Sequence, residues 1–299
     1  MSKQRLFVVA NPFSGMQRRK PLHELLDAQL DPARFEYRLV FTEYPGHATQ
    51  LAEQAVREGY DVVVAAGGDG SVHEVAKPLI GTSVTLGIIP YGSGNGFAMH
   101  LGLGRSPVRA VQVLQEGKVI RIDTCLMDDQ PFVNLAGLGF DAQVAVKIKN
   151  SRLRGFLGYL RHTLEEAISY EMQDFRIEID GRVLERRCLA VEVANASMYG
   201  YGFVVAPPAK VTDGLLDLIV LKQAPKWQYF AEGWRFLNNT LSKSSWWEYH
   251  SGREITITPA QPTAAHMDGE GFPIEQPRPI RFSIRPRSLQ VLCPRSFPD

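Results

Sequence analysis

The chain lacks the features that mark disulfide-rich, zinc-binding, secreted and membrane-spanning proteins. Of its 299 residues only three are cysteine, Cys125, Cys188 and Cys293, and they form no CxxC pair, so neither a disulfide framework nor a zinc site is indicated. The apolar run nearest the N-terminus, Leu6–Ala10, is too short for a signal peptide, and no later run has the length of a membrane span. We therefore expect reduced thiols and a cytoplasmic protein.

A strong net charge is also missing. The formal net charge is +1, so no overall electrostatic field attracts nucleic acid or an anionic membrane. No basic stripe is visible either, which argues against a nucleic-acid-binding protein. The composition, with 44% hydrophobic and 22% charged residues, is typical of a globular protein that can bury a sizeable core.

The first part of the chain alternates between strand-like and helical patterns. Apolar, β-branched runs predict buried strands, and apolar stripes at helical spacing predict helices. The predicted strands are 6–10, 37–42, 61–66 and 85–90, and the predicted helices are 21–30, 47–58, 71–80 and 106–116. Repeated βα units predict an α/β domain with a doubly wound parallel sheet, whose ligands bind at the carboxyl ends of the strands.

After about residue 119, strand patterns follow one another with few helices between them. The predicted strands are 119–125, 132–135, 175–179, 189–194, 216–221, 254–258 and 280–284, and the predicted helices are 156–170 and 226–241. Asp180-Gly181 predicts a hairpin turn. This texture indicates a mainly antiparallel β domain, and we place the two domains at residues 1–125 and 126–287.

Three predicted strands of the first domain end in glycine-rich or turn-forming loops. These loops are Asn11–Gly15, Gly67–Glu74 and Pro90–Phe97. Glycines let backbone N–H groups approach an anion closely, and a following helix adds its positive end. Because neither GxxxxGK[ST] nor GxGxxG is present, the loops predict a phosphate-binding nucleotide site of another kind.

Side chains in the second loop refine this prediction. A carboxylate such as Asp69 among phosphate-binding glycines repels phosphate unless Mg²⁺ intervenes, which points to a metal–nucleotide complex. Ser71 and Glu74 match a capping box, which would start a helix at Ser71. We expect His73 on the surface of that helix, and His266 merits mutation because it precedes a turn with two carboxylates.

These loops resemble, in order and spacing, the signatures of the diacylglycerol kinase/sphingosine kinase superfamily: NPFSG at 11–15, GGDGSVHEV at 67–75 and PYGSGNGFA at 90–98. Three later segments continue the resemblance: NLAGLGFD at 134–141, DGLLD at 213–217 and HMDGE at 266–270. The resemblance spans nearly the whole chain. It implies a nucleotide-binding α/β domain followed by a lipid-binding β-sandwich domain, with a C-terminal strand at about 288–299 returning to the first domain.

The resemblance also implies the cofactors, ATP and Mg²⁺, and the site residues of a lipid kinase. The predicted nucleotide contacts are Asn11, Ser14, Gly15, Thr42, Gly67, Gly68, Asp69, Gly70, Ser71, Val72, Glu74, Gly92, Ser93 and Asn95. The predicted catalytic residues are Asp69 and a general base, either Glu270 or Asp268, with Glu270 slightly favoured. A structural Mg²⁺ is implied at the Asp213 side chain with the carbonyls of Lys210 and Leu215, where the residues alone indicate only a β-turn.

One departure from the family pattern concerns the lipid. Many diacylglycerol kinase-like members have threonine and aspartate in the third loop, where this chain has Ser93 and Gly96. The GSGN form is closer to that of sphingosine kinases. The acceptor therefore stays open among diacylglycerol, sphingoid bases, ceramide-like lipids and undecaprenol-type alcohols.

Contact with a membrane and the competing functions also stay open. Two segments mix aromatic, apolar and basic residues as membrane-contacting surfaces do, Arg152–Arg161 and Trp227–Trp247, although such stripes also occur in protein cores. The expected partner is a lipid at a membrane surface, with transient membrane association. The alternatives are a soluble small-molecule kinase of the NAD kinase type and a non-catalytic lipid or nucleotide sensor. The oligomeric state is open, with a homodimer as one option.

Overall fold

The computed structural model describes residues 3–14, 21–149, 151 and 156–298. It divides the chain into two compact units, Met1–Thr124 with Pro286–Asp299, and Cys125–Arg285. The predicted domain limits, after residue 125 and near residue 288, fall next to these divisions. The fold class is confirmed, since an α/β part with parallel strands precedes a mainly antiparallel β part.

The elements of the first unit alternate as the sequence predicts. They are β1 (Gln4–Ala10), α1 (Leu22–Gln29), β2 (Phe35–Phe41), α2 (His47–Arg57), β3 (Val62–Gly67), α3 (Asp69–Leu79), β4 (Thr85–Pro90), α4 (Gly96–His100), α5 (Pro107–Glu116) and β5 (Lys118–Met127). The end of β5 belongs to the second unit.

The second unit continues with strands and a smaller number of helices. They are β6 (Gln130–Phe132), β7 (Leu135–Gly139), α6 (Phe140–Lys149), α7 (Phe156–Ser169), β8 (Gln173–Ile179), β9 (Arg182–Ala194), β10 (Leu216–Lys222), α8 (Lys226–Glu232), α9 (Trp234–Leu237), β11 (Trp247–Gly252), β12 (Glu254–Pro259), β13 (Thr263–Met267), β14 (Glu270–Ile274) and β15 (Ile280–Cys293). The end of β15 belongs to the first unit.

The parallel sheet of the first unit has the strand order β2-β1-β3-β4-β15. Strands β3 and β4 are buried along their whole length, which explains their unbroken apolar sequences. The strand order reverses between β1 and β3, so the connection that follows β1 and the connection that follows β3 run to opposite sides of this point in the sheet. In open α/β sheets this reversal opens a crevice at the carboxyl ends of the strands, where ligands bind. The loops after β1 and β3 therefore lie at the expected position of a ligand site.

Helices on this sheet hold the strands in place. The alternate side chains of β1 and β3 that face α1 and α5 form one apolar cluster with them, which includes Leu6, Val8, Leu22, Leu26, Val62, Val64, Ala110 and Leu114. Each large apolar side chain buried in this way contributes about 1.5–3 kcal/mol. Packing of this density gives the loops a fixed base.

The start of α3 differs from the prediction. The helix begins at Asp69 with Gly68 as its N-cap, so Ser71 lies inside the first turn and the predicted capping box is wrong. Glu74 instead accepts the backbone N–H groups of Gly46 (3.1 Å) and Ala48 (3.2 Å) at the start of α2. The carboxylate thus stabilises the N-terminus of a neighbouring helix, where unpaired N–H groups and the helix dipole favour a negative charge.

The antiparallel sheet of the second unit has the order β14-β13-β7-β9-β8-β12-β15, and β10 pairs with β9 and β11. The predicted Asp180-Gly181 turn joins β8 to β9, with φ of 47° and 85° as a two-residue hairpin requires. The predicted helix 226–241 is two short helices, α8 and α9, and the predicted strand 132–135 is divided between β6 and β7.

No helix within the described parts of the chain is long and apolar enough to cross a membrane.

Candidate active site

The first loop closes on itself directly after β1. The Asn11 N–H donates to the Ala66 carbonyl on β3 (3.0 Å), and Asn11 Oδ1 accepts the N–H of Phe13 (2.9 Å). Ser14 Oγ donates to the Asn11 carbonyl (2.7 Å). The loop is therefore tied to the strand that carries the second loop. The predicted contact Gly15 lies outside the described residues.

The second and third loops meet through their glycines. The Gly67 carbonyl accepts the N–H groups of Tyr91 (2.8 Å) and Gly92 (3.1 Å). A Cβ added to Gly92 would overlap Gly68 Cα, and one added to Gly68 would lie 3.2 Å from Gly92 Cα. Because the obstructing atoms belong to the backbone, they cannot rotate away. Glycine is therefore required at Gly92 for the loops to approach each other, whereas a side chain at Gly68 would need the loops to move slightly apart.

Ser71 joins the first loop to the second. Asn11 Nδ2 donates to Ser71 Oγ across 3.5 Å, and a Cβ on Gly67 would overlap the Ser71 side chain. Gly70 is half-buried beside it, whereas Val72 is buried and packs in the interior. The structure thus brings together the three loops that were predicted to converge.

Asp69 is the first residue of α3, where the helix dipole favours a negative charge. Its Oδ1 accepts the N–H of Phe97 in the first turn of α4 (3.2 Å). Asn95, held at a left-handed φ of 55°, donates from Nδ2 to the Gly92 carbonyl (2.6 Å). Asn95 Oδ1 is buried and meets no donor among the described residues. Backbone amides, a carboxylate and an unpartnered amide oxygen in one place fit a magnesium–nucleotide complex.

The other predicted contacts differ in how they are placed. The Thr42 N–H extends the pairing of β2 with β1 by donating to the Ala10 carbonyl (2.9 Å), and Ser93 is exposed on the third loop. Glu74 is occupied by the start of α2, so its role at the nucleotide stays a prediction. The expectation that His73 lies on the surface is wrong, since it is buried within α3.

The two predicted base candidates occupy the turn between β13 and β14 in the second unit. Asp268 and Gly269 have φ of 48° and 87°, the conformation of a tight hairpin turn. Asp268 is buried, and its carboxylate accepts three backbone N–H groups, from Asn134 (2.8 Å), Val133 (3.1 Å) and Leu135 (3.2 Å). Glu270 is exposed. Asp268 therefore anchors the turn, and Glu270 is the carboxylate that a substrate can meet.

The predicted structural metal site lies before β10. Asp213 is exposed, and its Oδ1 accepts the N–H of Leu215 (3.1 Å) around Gly214, while Lys210 is exposed nearby in sequence. Four residues on, Asp217 is buried, and Tyr249 Oη donates to its Oδ1 (2.5 Å) while Oδ2 meets no donor among the described residues.

The electrostatics of this turn favour a hard cation. Burial raises the pKa of Asp217 to about 6, a change that the hydrogen bond from Tyr249 opposes and the charge of Asp213 reinforces. A partly unpaired, buried carboxylate beside a second carboxylate supplies the oxygen ligands that Mg²⁺ and Ca²⁺ prefer. Asp213 and Asp217 therefore offer the kind of oxygen ligand that the predicted ion needs. Asp217 was not among the predicted ligands, and the set of Asp213, Lys210 and Leu215 stays a prediction.

Two family models match consecutive parts of the chain. The "Diacylglycerol kinase catalytic domain" matches residues 5–127, and the "YegS C-terminal NAD kinase beta sandwich-like domain" matches residues 134–293. The diacylglycerol kinase of Staphylococcus aureus (strain MRSA252) is 34% identical over 230 residues, which are 74% of this chain and 72% of that protein. The chain belongs to the diacylglycerol kinase family. The resemblance inferred from the motifs is thereby confirmed.

One further relative and one solved structure are also similar to this chain. The diacylglycerol kinase of Bacillus subtilis (strain 168) is 28% identical over 274 residues, 89% of this chain and 90% of that protein. A crystal structure of a diacylglycerol kinase from Bacillus anthracis str. Sterne shares the fold, with a TM-score of 0.74, 21% identity and coverage of 99% of this chain and 98% of that one. Members of the family are ATP-using kinases with an alcohol acceptor, so this chain is a lipid kinase of that type.

Two groups of residues were missed from the sequence. One is the segment Val133–Leu135, whose backbone holds Asp268. The other is a cluster of Asp141, Glu192 and His266. The sequence did mark two of its members, because Asp141 ends one of the segments that carry the family resemblance and His266 begins another, but the acidic Glu192 inside an otherwise apolar strand was not connected to them.

Proposed function

We propose that this chain transfers the γ-phosphate of Mg²⁺-bound ATP to a hydroxyl group of a membrane lipid. The single observation that supports this most strongly is the close approach of Gly68 and Gly92 beside Asp69. It brings the third loop against the start of α3, whose first-turn N–H groups have no acceptor within the helix, and it places a carboxylate where a cation is needed to reconcile it with phosphate.

Diacylglycerol is the first acceptor that we propose, because curated relatives at 34% identity carry the name diacylglycerol kinase. A sphingoid base is the second, because Ser93 and Gly96 replace the threonine and aspartate of many diacylglycerol kinase-like sequences. Both lipids present a hydroxyl near the headgroup plane, which the same chemistry can phosphorylate.

The chain's own residues divide the work of phosphoryl transfer. The amides of the glycine loops would bind the phosphates, and Asp69 would hold the ion, which when bound neutralises charge on the transferring group. Glu270 would accept the proton of the lipid hydroxyl as general base. Asp268 supports that role by fixing the turn, since its own carboxylate is committed to three backbone amides. Asp213, with the carbonyls of Lys210 and Leu215, would hold a structural Mg²⁺.

The part of the second unit that would touch the bilayer is α8 with α9. Trp227 is 70% exposed and Trp234 is 52% exposed, whereas Trp246 is buried in the core. Exposed tryptophans prefer the membrane–water boundary, where the indole ring is partly apolar and its N–H can donate. Of the other predicted segment, residues 152–155 lie outside the described residues.

The test is transfer of labelled γ-phosphate from Mg-ATP to a panel of lipids in mixed micelles, with NAD as a soluble acceptor. We expect one lipid class to be labelled, with loss of labelling in Asp69→Asn and no change in Asp129→Asn, which alters an exposed turn carboxylate. Labelling of NAD alone would favour the NAD kinase type. ATP binding without any transfer would favour a sensor and contradict the proposal.

A further inference from the structure

The second unit contains a cluster of three ionisable side chains that the proposed reaction does not use, the buried Glu192 and His266 and the half-buried Asp141. His266 on β13, Gly137 on β7 and Glu192 on β9 occupy one row across adjacent strands. Side chains in such a row point to the same face of the sheet. A Cβ on Gly137 would overlap the Glu192 carboxylate, so the glycine provides the space that this carboxylate fills.

Asp141 completes the cluster from the first turn of α6. This helix packs closely over β14, where a Cβ on Gly271 would overlap the backbone of Val146. His266 Nε2 lies 2.6 Å from Asp141 Oδ2 and 2.9 Å from Glu192 Oε2. The polar side-chain atoms of three elements, α6, β9 and β13, thus meet at one place.

The contacts within the cluster leave much of its polar surface unsatisfied. Glu192 is 0% and His266 is 2% exposed. Among the described residues, Asp141 Oδ1 and Glu192 Oε1 meet no hydrogen-bond donor, and His266 Nδ1 also lacks a partner. Buried carboxylates cost several kcal/mol unless they are paired and hydrogen-bonded. The ring nitrogen of His266 and the hydroxyl of Tyr199 still leave Asp141 Oδ1 and Glu192 Oε1 without a donor among the described residues.

The three groups change one another's pKa values. Burial raises the pKa of Glu192, and the negative charge of Asp141 raises it further. Burial lowers the pKa of His266, but the charges of Asp141 and Glu192 outweigh it and raise that pKa well above its usual value. Burial raises the pKa of Asp141, but the charge of His266 and the hydrogen bonds to Asp141 outweigh it and hold that pKa at about 2.

A second cluster in the same unit contains a carboxylate that is paired with an arginine. Glu248 accepts hydrogen bonds from Arg186 Nη2 (2.9 Å) and lies 2.7 Å from His250 Nε2. Burial raises the pKa of Glu248, but the hydrogen bonds from Arg186 and His250 outweigh it and hold that pKa at about 2. No lysine or arginine within the described ranges forms an ion pair with Asp141 or Glu192.

We propose that Asp141, Glu192 and His266 bind a divalent transition-metal ion of the Zn²⁺ or Mn²⁺ class. Their ligand atoms lie within 4.8 Å of one another, so small side-chain rotations would bring all three to bonds of about 2.0–2.2 Å to one ion. Two carboxylates and a neutral imidazole balance a charge of two, and the imidazole favours a transition metal over Mg²⁺. Tyr199 Oη donates to Asp141 Oδ2 (2.9 Å) and orients that ligand.

The cluster shares no residue with either proposed Mg²⁺ site. An ion bound there would stabilise the arrangement of strands in the sheet. His266 lies two residues before Asp268, so an ion would fix β13 against β7 and β9 directly beside the turn. The proposal does not depend on which lipid is phosphorylated.

The test uses the full chain, stripped with a chelator and titrated with Zn²⁺, Mn²⁺ or Co²⁺. Metal content is measured by mass spectrometry, and Co²⁺ binding by visible absorption. We expect one transition-metal ion per chain, and at hundredfold excess over Kd a rise in Tm of about 5 °C. Glu192→Gln and His266→Gln should each weaken binding by about 100-fold or more.

Two control variants separate this site from others. His250→Gln changes a histidine that is paired with Glu248 and Arg186, and Asp213→Asn changes the proposed Mg²⁺ turn, so both should keep the ion. If the cluster variants do not fold, the wild type decides, because paramagnetic resonance of bound Mn²⁺ should show nitrogen coupling from an imidazole. A wild type that binds no ion, an ion kept in both cluster variants, or bound Mn²⁺ without nitrogen coupling would overturn the proposal and leave a proton-sharing cluster only.

Discussion

Replacing Asp268 with asparagine should mainly destabilise the protein. The carboxylate accepts the N–H groups of Val133, Asn134 and Leu135, and an amide would turn an NH₂ group toward at least one of them. Hydrogen bonds to a charged group contribute about 1.5–3 kcal/mol each. Losing one such bond and weakening the others should cost about 3 kcal/mol, which corresponds to roughly 6–12 °C in the Tm of a unit of this size.

Glu270→Gln should give the opposite result. Its side chain is exposed, so the free energy of unfolding should change by no more than about 0.5 kcal/mol. Loss of a general base should nevertheless lower the rate of phosphoryl transfer by about 10²–10⁴-fold.

The two variants are compared by urea denaturation and by single-turnover transfer at a temperature where both are folded. Asp268→Asn with wild-type stability would refute the anchoring role that its contacts indicate. A Glu270→Gln enzyme with the full rate would remove Glu270 as the base and return that role to Asp268.

Three further predictions concern the nucleotide loops, the response to acid and the membrane. Gly92→Ala should weaken ATP binding by about tenfold or more in calorimetry, because the new Cβ overlaps Gly68 and displaces the loop; unchanged affinity would show that the close approach is not needed. Since Glu248 has a folded pKa of about 2 against 4.5 unfolded, its stabilisation is complete above pH 4.5 and is lost as the pH falls toward 2. In acid denaturation the wild type should lose about 1–2 kcal/mol of stability over this pH range, and the Glu248→Gln variant should not show this loss. An equal loss in the variant would contradict the assignment of the effect to Glu248. Replacing Trp227 and Trp234 together with alanine should reduce sedimentation with anionic liposomes by about tenfold, whereas Val183→Ala, also at an exposed apolar position, should have no effect, and equal effects would contradict a specific surface.

Most of the first unit could be predicted because its signals are local. The runs that form β1, β3 and β4 are continuous and apolar, and burial of both sheet faces is the physical reason. The hairpin β13–β14 was missed although the Asp268-Gly269 turn was visible. The strands β13 and β14 contain few β-branched residues, so their sequences do not show a strand propensity. The pairing of β13 with β7 instead determines that this segment is a strand.

The site was predictable only where the motifs are contiguous. The convergence of the glycine loops followed from parallel strands ending at one edge. The capping box failed because a Ser-x-x-Glu pattern does not specify which helix the glutamate stabilises, and Glu74 serves α2. The cluster of Asp141, Glu192 and His266 comes from elements far apart in sequence, so only the strand register reveals it.

Phosphorylation of a lipid alcohol by this chain can be tested through the identity of the product. The protein is incubated with Mg-ATP labelled with ¹⁸O in the γ-phosphate and with extracted bacterial membrane lipids, and the lipids are analysed by mass spectrometry. We expect that one class of alcohol lipid gains a labelled phosphate with the wild type and that the Glu270→Gln variant does not form this product. Label found only in inorganic phosphate or in a soluble nucleotide would contradict lipid phosphorylation.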